Sequence, residues 1–178
     1  MTDLPWPTWH AAVADPRIDA AIRAIYADLD AASAAQSPRC DASGRCCRFE
    51  EFGHRLYVTA LEIAWVLKET RSNSPSSRAP SPQRYAVGFR DTPTSVELPI
   101  LPPLTAGLCP YQKNNLCTIH PVRPLGCRIF FCAPGTQDWQ NQLYEDYLRR
   151  LRQLHDTHAL PYAYLEWRAG LHAATDPT

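Results

Sequence analysis

Between Asp15 and Gln36 the chain reads DPRIDAAIRAIYADLDAASAAQ, with Ile18, Ile22, Ile25 and Leu29 recurring at helical spacing. That pattern puts apolar side chains on one face and predicts a helix. Asp15 suits its N-cap and Pro16 its first turn. SPRCDASGRCC then breaks the pattern and predicts a loop. GHRLYVT alternates, with Leu56 and Val58 on one face, and predicts a short strand. TALEIAWVLKET starts a second helix, where Thr59 and Glu62 have capping-box spacing. Residues 71–83, RSNSPSSRAPSPQ, are Ser/Pro-rich with almost no apolar content, and read as a flexible surface loop. RYAVGFR suggests a strand, and DTPTSVELPILPPLTAG is extended and punctuated by prolines. From Asp138 to His158 a stripe of Leu143, Tyr147, Leu151 and Leu154 predicts a long helix. Pro161 ends it and opens a last helix over PYAYLEWRAGLHAA.

The pattern describes a small, helix-rich α+β chain, read as one domain over residues 1–178. A cysteine-bearing core spans 40–132 and C-terminal helices span 138–174. At 178 residues the chain can bury a core without disulfide staples. Lys plus Arg (18) equals Asp plus Glu (18), which argues against bulk nucleic acid or an anionic membrane as partner. No apolar run is long enough to span a membrane. The N-terminus lacks a basic region followed by an apolar stretch, so no secretory signal is expected. The expected compartment is the cytoplasm, where thiols stay reduced.

Seven cysteines change the picture. Cys40, Cys46 and Cys47 lie in the first loop, and Cys109, Cys117, Cys127 and Cys132 in CPYQKNNLCTIHPVRPLGCRIFFC. An odd count cannot pair off within one chain, so a disulfide framework is the weakest reading. Short spacings on loops suit metal ligands, because a loop can wrap an ion and aim its sulfurs inward. Lys113, Asn114 and Asn115 supply a turn that brings Cys109 towards Cys117. Pro121 and Pro124 predict rigid, non-helical backbone after Cys117, and Gly126 a tight turn before Cys127. Arg39, Arg45, Arg48, Arg123 and Arg128 lie beside the cysteines, where guanidinium groups would favour thiolates. Ordinary buried thiols are the plain alternative.

These residues resemble a known family. The order Cys109-Pro110-Tyr111, Cys117-Thr118-Ile119-His120, Arg123-Pro124-Leu125-Gly126-Cys127-Arg128-Ile129-Phe130 and Cys132 is similar to the second half of the YkgJ-like cysteine-cluster family, a zinc- or iron-chelating domain with a CxxCxxCC motif. In that register Cys40, Cys46 and Cys47 match, and Ser43 stands where the second cysteine would be. The resemblance implies a metal site built from two loops, with all seven cysteines as candidate ligands. It leaves iron–sulfur cluster and zinc both open, and irregular spacing tips the balance slightly to iron–sulfur. Consecutive Cys46 and Cys47 point apart if the backbone is extended, so they need not share one metal atom.

Other residues carry weaker signals. His120 reads as an aromatic wall rather than a ligand, and His54 as a surface or satisfied residue. His155 and His158 lie near a helix end, where His meets the last carbonyls. Trp6, Trp9, Trp65, Trp139 and Trp167 read as packing residues. Phe130 and Phe131 are expected to shield the site. No P-loop, GxGxxG or GxSxG motif is present. The leading function is metal binding with a structural, carrier or sensing role. Flagellin lysine methylases carry a related cysteine region, so the resemblance also admits a cluster-dependent methyl transfer from S-adenosylmethionine. A third reading is a zinc-stabilised interaction module for a protein partner of unidentified kind.

Overall fold

The computed structural model describes residues 4–36, 38, 43–72, 108–132 and 134–175. Cys40, Arg39, most of the Ser/Pro-rich loop, the expected strand RYAVGFR and the proline-punctuated segment lie outside the described residues. Among the described residues are six α-helices, four short strands and two 3₁₀ turns. The chain is therefore a helix-rich α+β fold, as its periodicity indicates. No helix among the described residues is long and apolar enough to cross a membrane.

Helix α1 (Trp6–Ala14) leads at Asp15 into α2 (Pro16–Ala35). The Asp15 carboxylate accepts from the Arg17 N–H at 2.8 Å, so the N-cap stands where the sequence indicates. Ile18, Ile22, Tyr26 and Leu29 are buried along α2, and Ile25 is half-buried at the edge of that face. Helix α1 is absent from the periodicity argument, because its nine residues carry two tryptophans, a proline and little amphipathic contrast. Trp9 nonetheless anchors it, buried to 1% exposure, with its indole donating to the Pro161 carbonyl at 2.8 Å.

Strand β1 (Tyr57–Thr59) runs directly into α3 (Ala60–Ser72). Residues 60 to 67 of α3 are buried without a break, which marks it as the central helix. Its end includes Arg71 and Ser72, two residues that the sequence pattern assigns to the Ser/Pro-rich loop. The predicted last helix is shorter than PYAYLEWRAGLHAA suggests. Tyr164–Glu166 forms strand β4, paired antiparallel to β1 with Val58 opposite Leu165, and helix α6 (Trp167–Thr175) follows it. The β1 edge supplies hydrogen-bond partners that local propensity does not register. Before it, α5 (Gln137–Thr157) buries Tyr147, Leu148, Leu151 and Leu154.

Two carboxylates tie the helices together. Glu62, 1% exposed, accepts from the Tyr26 hydroxyl (2.9 Å), from the Thr59 N–H (2.8 Å) and hydroxyl (3.0 Å), and from the Leu125 N–H (2.8 Å). The Thr59 hydroxyl in turn accepts from the Glu62 N–H, which completes the expected capping box. Asp19 on α2 accepts from Trp65 (2.9 Å) and Lys68 (2.6 Å) of α3 and from Arg23 (2.8 Å). Burial pushes the Asp19 carboxyl up, but these donors outweigh it and hold the carboxyl at about 2, against an ordinary 3.8. A carboxylate so depressed stabilises the fold fully above its unfolded value and loses that contribution as pH falls through its folded value. Asp19→Asn is thus expected to lose about 1–2 kcal/mol at neutral pH, and less at pH values below 3.8. Equal losses at pH 7 and in strong acid, measured by urea unfolding, would refute this assignment.

Candidate metal centre

The first cysteine segment reaches the site through a 3₁₀ turn, Arg45–Cys47. Gly44 enters it at φ +72°, where a Cβ would lie 2.6 Å from Gln112 Nε2 and 2.9 Å from the Asn115 carbonyl oxygen. Only glycine permits both that backbone region and that approach. The backbone here is a helical turn and not the extended one under which the two side chains would point apart, and Cys46 Sγ and Cys47 Sγ lie 3.9 Å apart. A tight helical turn projects adjacent side chains at roughly 100–120° to one another rather than to opposite faces.

The second segment folds as a hairpin, β2 (Gln112–Lys113) against β3 (Leu116–Cys117). Asn114 (φ 51°) and Asn115 (φ 63°) form its two-residue turn, as the sequence indicates. The two segments are then joined directly. The Cys109 N–H donates to the Cys47 carbonyl at 2.8 Å, Arg48 pairs with Leu108 in an isolated bridge, and the Arg48 guanidinium donates to Asn115 Oδ1 at 2.6 Å. Cys127 arrives on helix α4 (Leu125–Ile129), preceded by a 3₁₀ turn at His120–Val122. The backbone after Cys117 is thus helical in two short pieces, contrary to the non-helical reading. Pro121 and Pro124 stand at the starts of these pieces, where a missing N–H costs nothing. Gly126 lies inside α4 rather than in a tight turn. A Cβ there would come 2.6 Å from Leu56 Cδ1, so its smallness lets α4 pack on the segment before β1.

Five thiols act on one another. Cys47 sits at the centre: the neighbouring sulfurs of Cys109, Cys117 and Cys46, and then burial, push its thiol up. The same interaction with Cys47 lowers Cys46 to about 6 and Cys117 to about 7 against burial, with Arg123 assisting both. Cys109 is lowered as well, by Cys47 first and then, against burial, by the Tyr111 backbone and the Trp167 indole. Burial and the neighbouring cysteine charges push Cys127 up. Cys47 and Cys109 are buried, Cys46 and Cys117 half-buried, and Cys127 half-buried. Cys132 is exposed, and its sulfur is not among those acting on Cys47.

The arginines divide by role. Arg123 is the one whose charge favours the Cys46 and Cys117 thiolates. Arg128, 4% exposed, is spent on Asp30 (2.7 Å), on the Arg123 and Pro121 carbonyls (2.8 Å each) and on the Tyr26 ring. It braces the loop instead of facing sulfur. Arg45 lies over the Phe52 ring. His120 is exposed, with Nε2 2.8 Å from Arg123 Nη1, and forms no wall. Phe130 is 38% exposed and stacks on His54. His54 is a satisfied residue, as the sequence allows: its ring contacts Phe49 and Phe130, with Nε2 3.4 Å from the Cys46 carbonyl oxygen. No local pattern marks that contact. His155 is buried, with Nδ1 2.9 Å from the Pro161 carbonyl oxygen.

Among the described residues, no three His, Cys, Asp or Glu side chains stand in a finished metal-coordinating arrangement. The donor chemistry nevertheless fits a soft or borderline metal. The gathered donors are thiols, one guanidinium offsets their charge, and the Nε of that Arg123 is buried without a hydrogen-bond partner among the described residues. Comparison of the chain with protein-family models, with curated proteins and with solved structures yields no match in any of the three.

Proposed function

We propose that this chain is a metal-binding protein whose clustered cysteines hold zinc or an iron–sulfur cluster, with a structural, carrier or sensing role. The observation that carries the reading is the meeting of cysteines from two distant segments: Cys46 Sγ and Cys47 Sγ lie 3.9 Å apart, and the Cys109 N–H donates to the Cys47 carbonyl at 2.8 Å. Thiols packed this closely cannot all ionise unless a cation offsets their charge, and a metal ion would supply it. Cys46, Cys47, Cys109, Cys117 and Cys127 are the candidate ligands, with Cys40 as a further one from outside the described residues. Arg123 would offset the thiolate charge. The 3.9 Å spacing of Cys46 and Cys47 supports two thiolates on a single ion, since bonds of about 2.3 Å in a tetrahedron give an edge of about 3.8 Å. Zinc and a two-iron cluster both accept such a pair. A four-iron cluster, in which each iron takes one thiolate, does not. When bound, zinc would lock the two segments together, and an iron–sulfur cluster would add one-electron chemistry.

Titration of the reduced, metal-free protein tests this. Uptake of zinc, or of iron with sulfide, in a fixed ratio and with release of thiol protons is the expected result. Uptake without saturation, or without proton release, would refute thiolate ligation.

A further inference from the structure

The thiol group is not enclosed evenly. Cys47 and Cys109 are buried, whereas Cys46 and Cys127 line a cleft of about 310 Å³. That volume lies at the lower end of the range for small-molecule sites. Buried Phe49 and Ile129 also line the cleft, and the more exposed Phe130, Tyr57 and Tyr164 stand nearer solvent. Two stacked pairs contribute ring faces, His54 with Phe130 at 5.1 Å and Tyr57 with Tyr164 at 5.7 Å.

We propose that this cleft binds a small, planar aromatic or heteroaromatic molecule, seated against Cys46 and Cys127. The rings select a flat ligand, because offset stacking and edge contacts reward a planar partner beyond the area it buries. Among the described residues no carboxylate lines the cleft, and Arg55, which lines it, is exposed. Polar recognition falls to the Asn141 amide at the mouth, which already accepts from Gln137 at 2.8 Å and keeps its N–H groups as donors. The Gln140 amide is committed to the Phe131 backbone and the Thr136 hydroxyl.

The inference rests on the metal-binding reading only for what the ligand meets beside it: a ligand here would touch the open side of the metal site. Quinoline is a suitable probe for the full chain, by calorimetry, with and without bound metal. Saturable binding with Kd in the range of about 0.1–1 mM is expected. Phe130→Ala, at an exposed position, should weaken it about fivefold, and Asn141→Ala should weaken it less. In the metal-free protein, bound quinoline should slow alkylation of Cys46 by iodoacetamide and leave that of Cys132 unchanged. Absence of saturable binding, binding indifferent to Phe130→Ala, or unprotected Cys46 would each overturn the proposal. The metal content of the same samples separates the two readings: metal without quinoline binding refutes the ligand site alone, and quinoline binding by protein that takes up no metal when supplied with it refutes the metal centre alone.

Discussion

Replacing Glu62 by alanine is expected to lower stability by about 3–5 kcal/mol, seen as a large fall in the urea midpoint with little change in slope. The carboxylate collects four donors from three places: Tyr26 on α2, Thr59 at the head of α3, and Leu125 at the head of α4. Alanine would strand those donors in a region closed to water, and each buried unpaired group costs about 1–3 kcal/mol. Burial raises the Glu62 carboxyl above its ordinary value, and the four donors oppose that rise. Glutamine keeps the shape but turns an NH₂ towards donors, so it should recover only part of the loss. The consequence reaches the thiols, because the Leu125 N–H fixes the start of the helix that carries Cys127. A loss below about 1 kcal/mol for Glu62→Ala would mean that α4 is positioned by packing alone.

Replacing Cys47 by alanine should have the largest effect on metal. With the central thiol gone, affinity is expected to fall by at least about 100-fold, enough to leave the protein metal-free after dialysis against a weak chelator. Cys132→Ala is the paired comparison. Its sulfur is exposed and does not act on Cys47, so metal content should be unchanged. The pair separates a specific site from adventitious binding, which would respond alike to the loss of any accessible thiol. Retention of full metal by Cys47→Ala, or its loss in Cys132→Ala, would reverse the ligand assignment.

Much of the helical frame was legible in the sequence. Helices α2 and α5 announce themselves because each is long and turns one apolar face inward. Thr59 and Glu62 foretell the capping box, though not that the same carboxylate reaches Tyr26 and Leu125, because those contacts join residues far apart in sequence. Strand β4 was hidden for a similar reason: Tyr164–Glu166 sits beside helix-forming residues, and only the neighbouring β1 makes it a strand. The cysteine grouping was legible as clustering, and the turn at Asn114–Asn115 as local chemistry. What spacing could not show was the hand-over between the segments: Gly44 against Gln112, Arg48 against Asn115, and the 3₁₀ turn that brings Cys46 and Cys47 together. Arg128 shows the limit of reading charge by proximity, since a position one residue from Cys127 leads it to Asp30 and the loop carbonyls rather than to sulfur.

The most direct test of the metal centre is purification without oxygen, followed by assay of zinc, iron and sulfide and a count of reactive thiols on the same sample. Metal in fixed stoichiometry is expected, either zinc or iron with sulfide, with thiols that react in full only after a chelator removes it. Broad absorption near about 400 nm would accompany the iron–sulfur case and be absent with zinc. Protein that emerges without metal, takes up none when reduced and supplied with it, and exposes its thiols to reagent in the folded state would contradict the account.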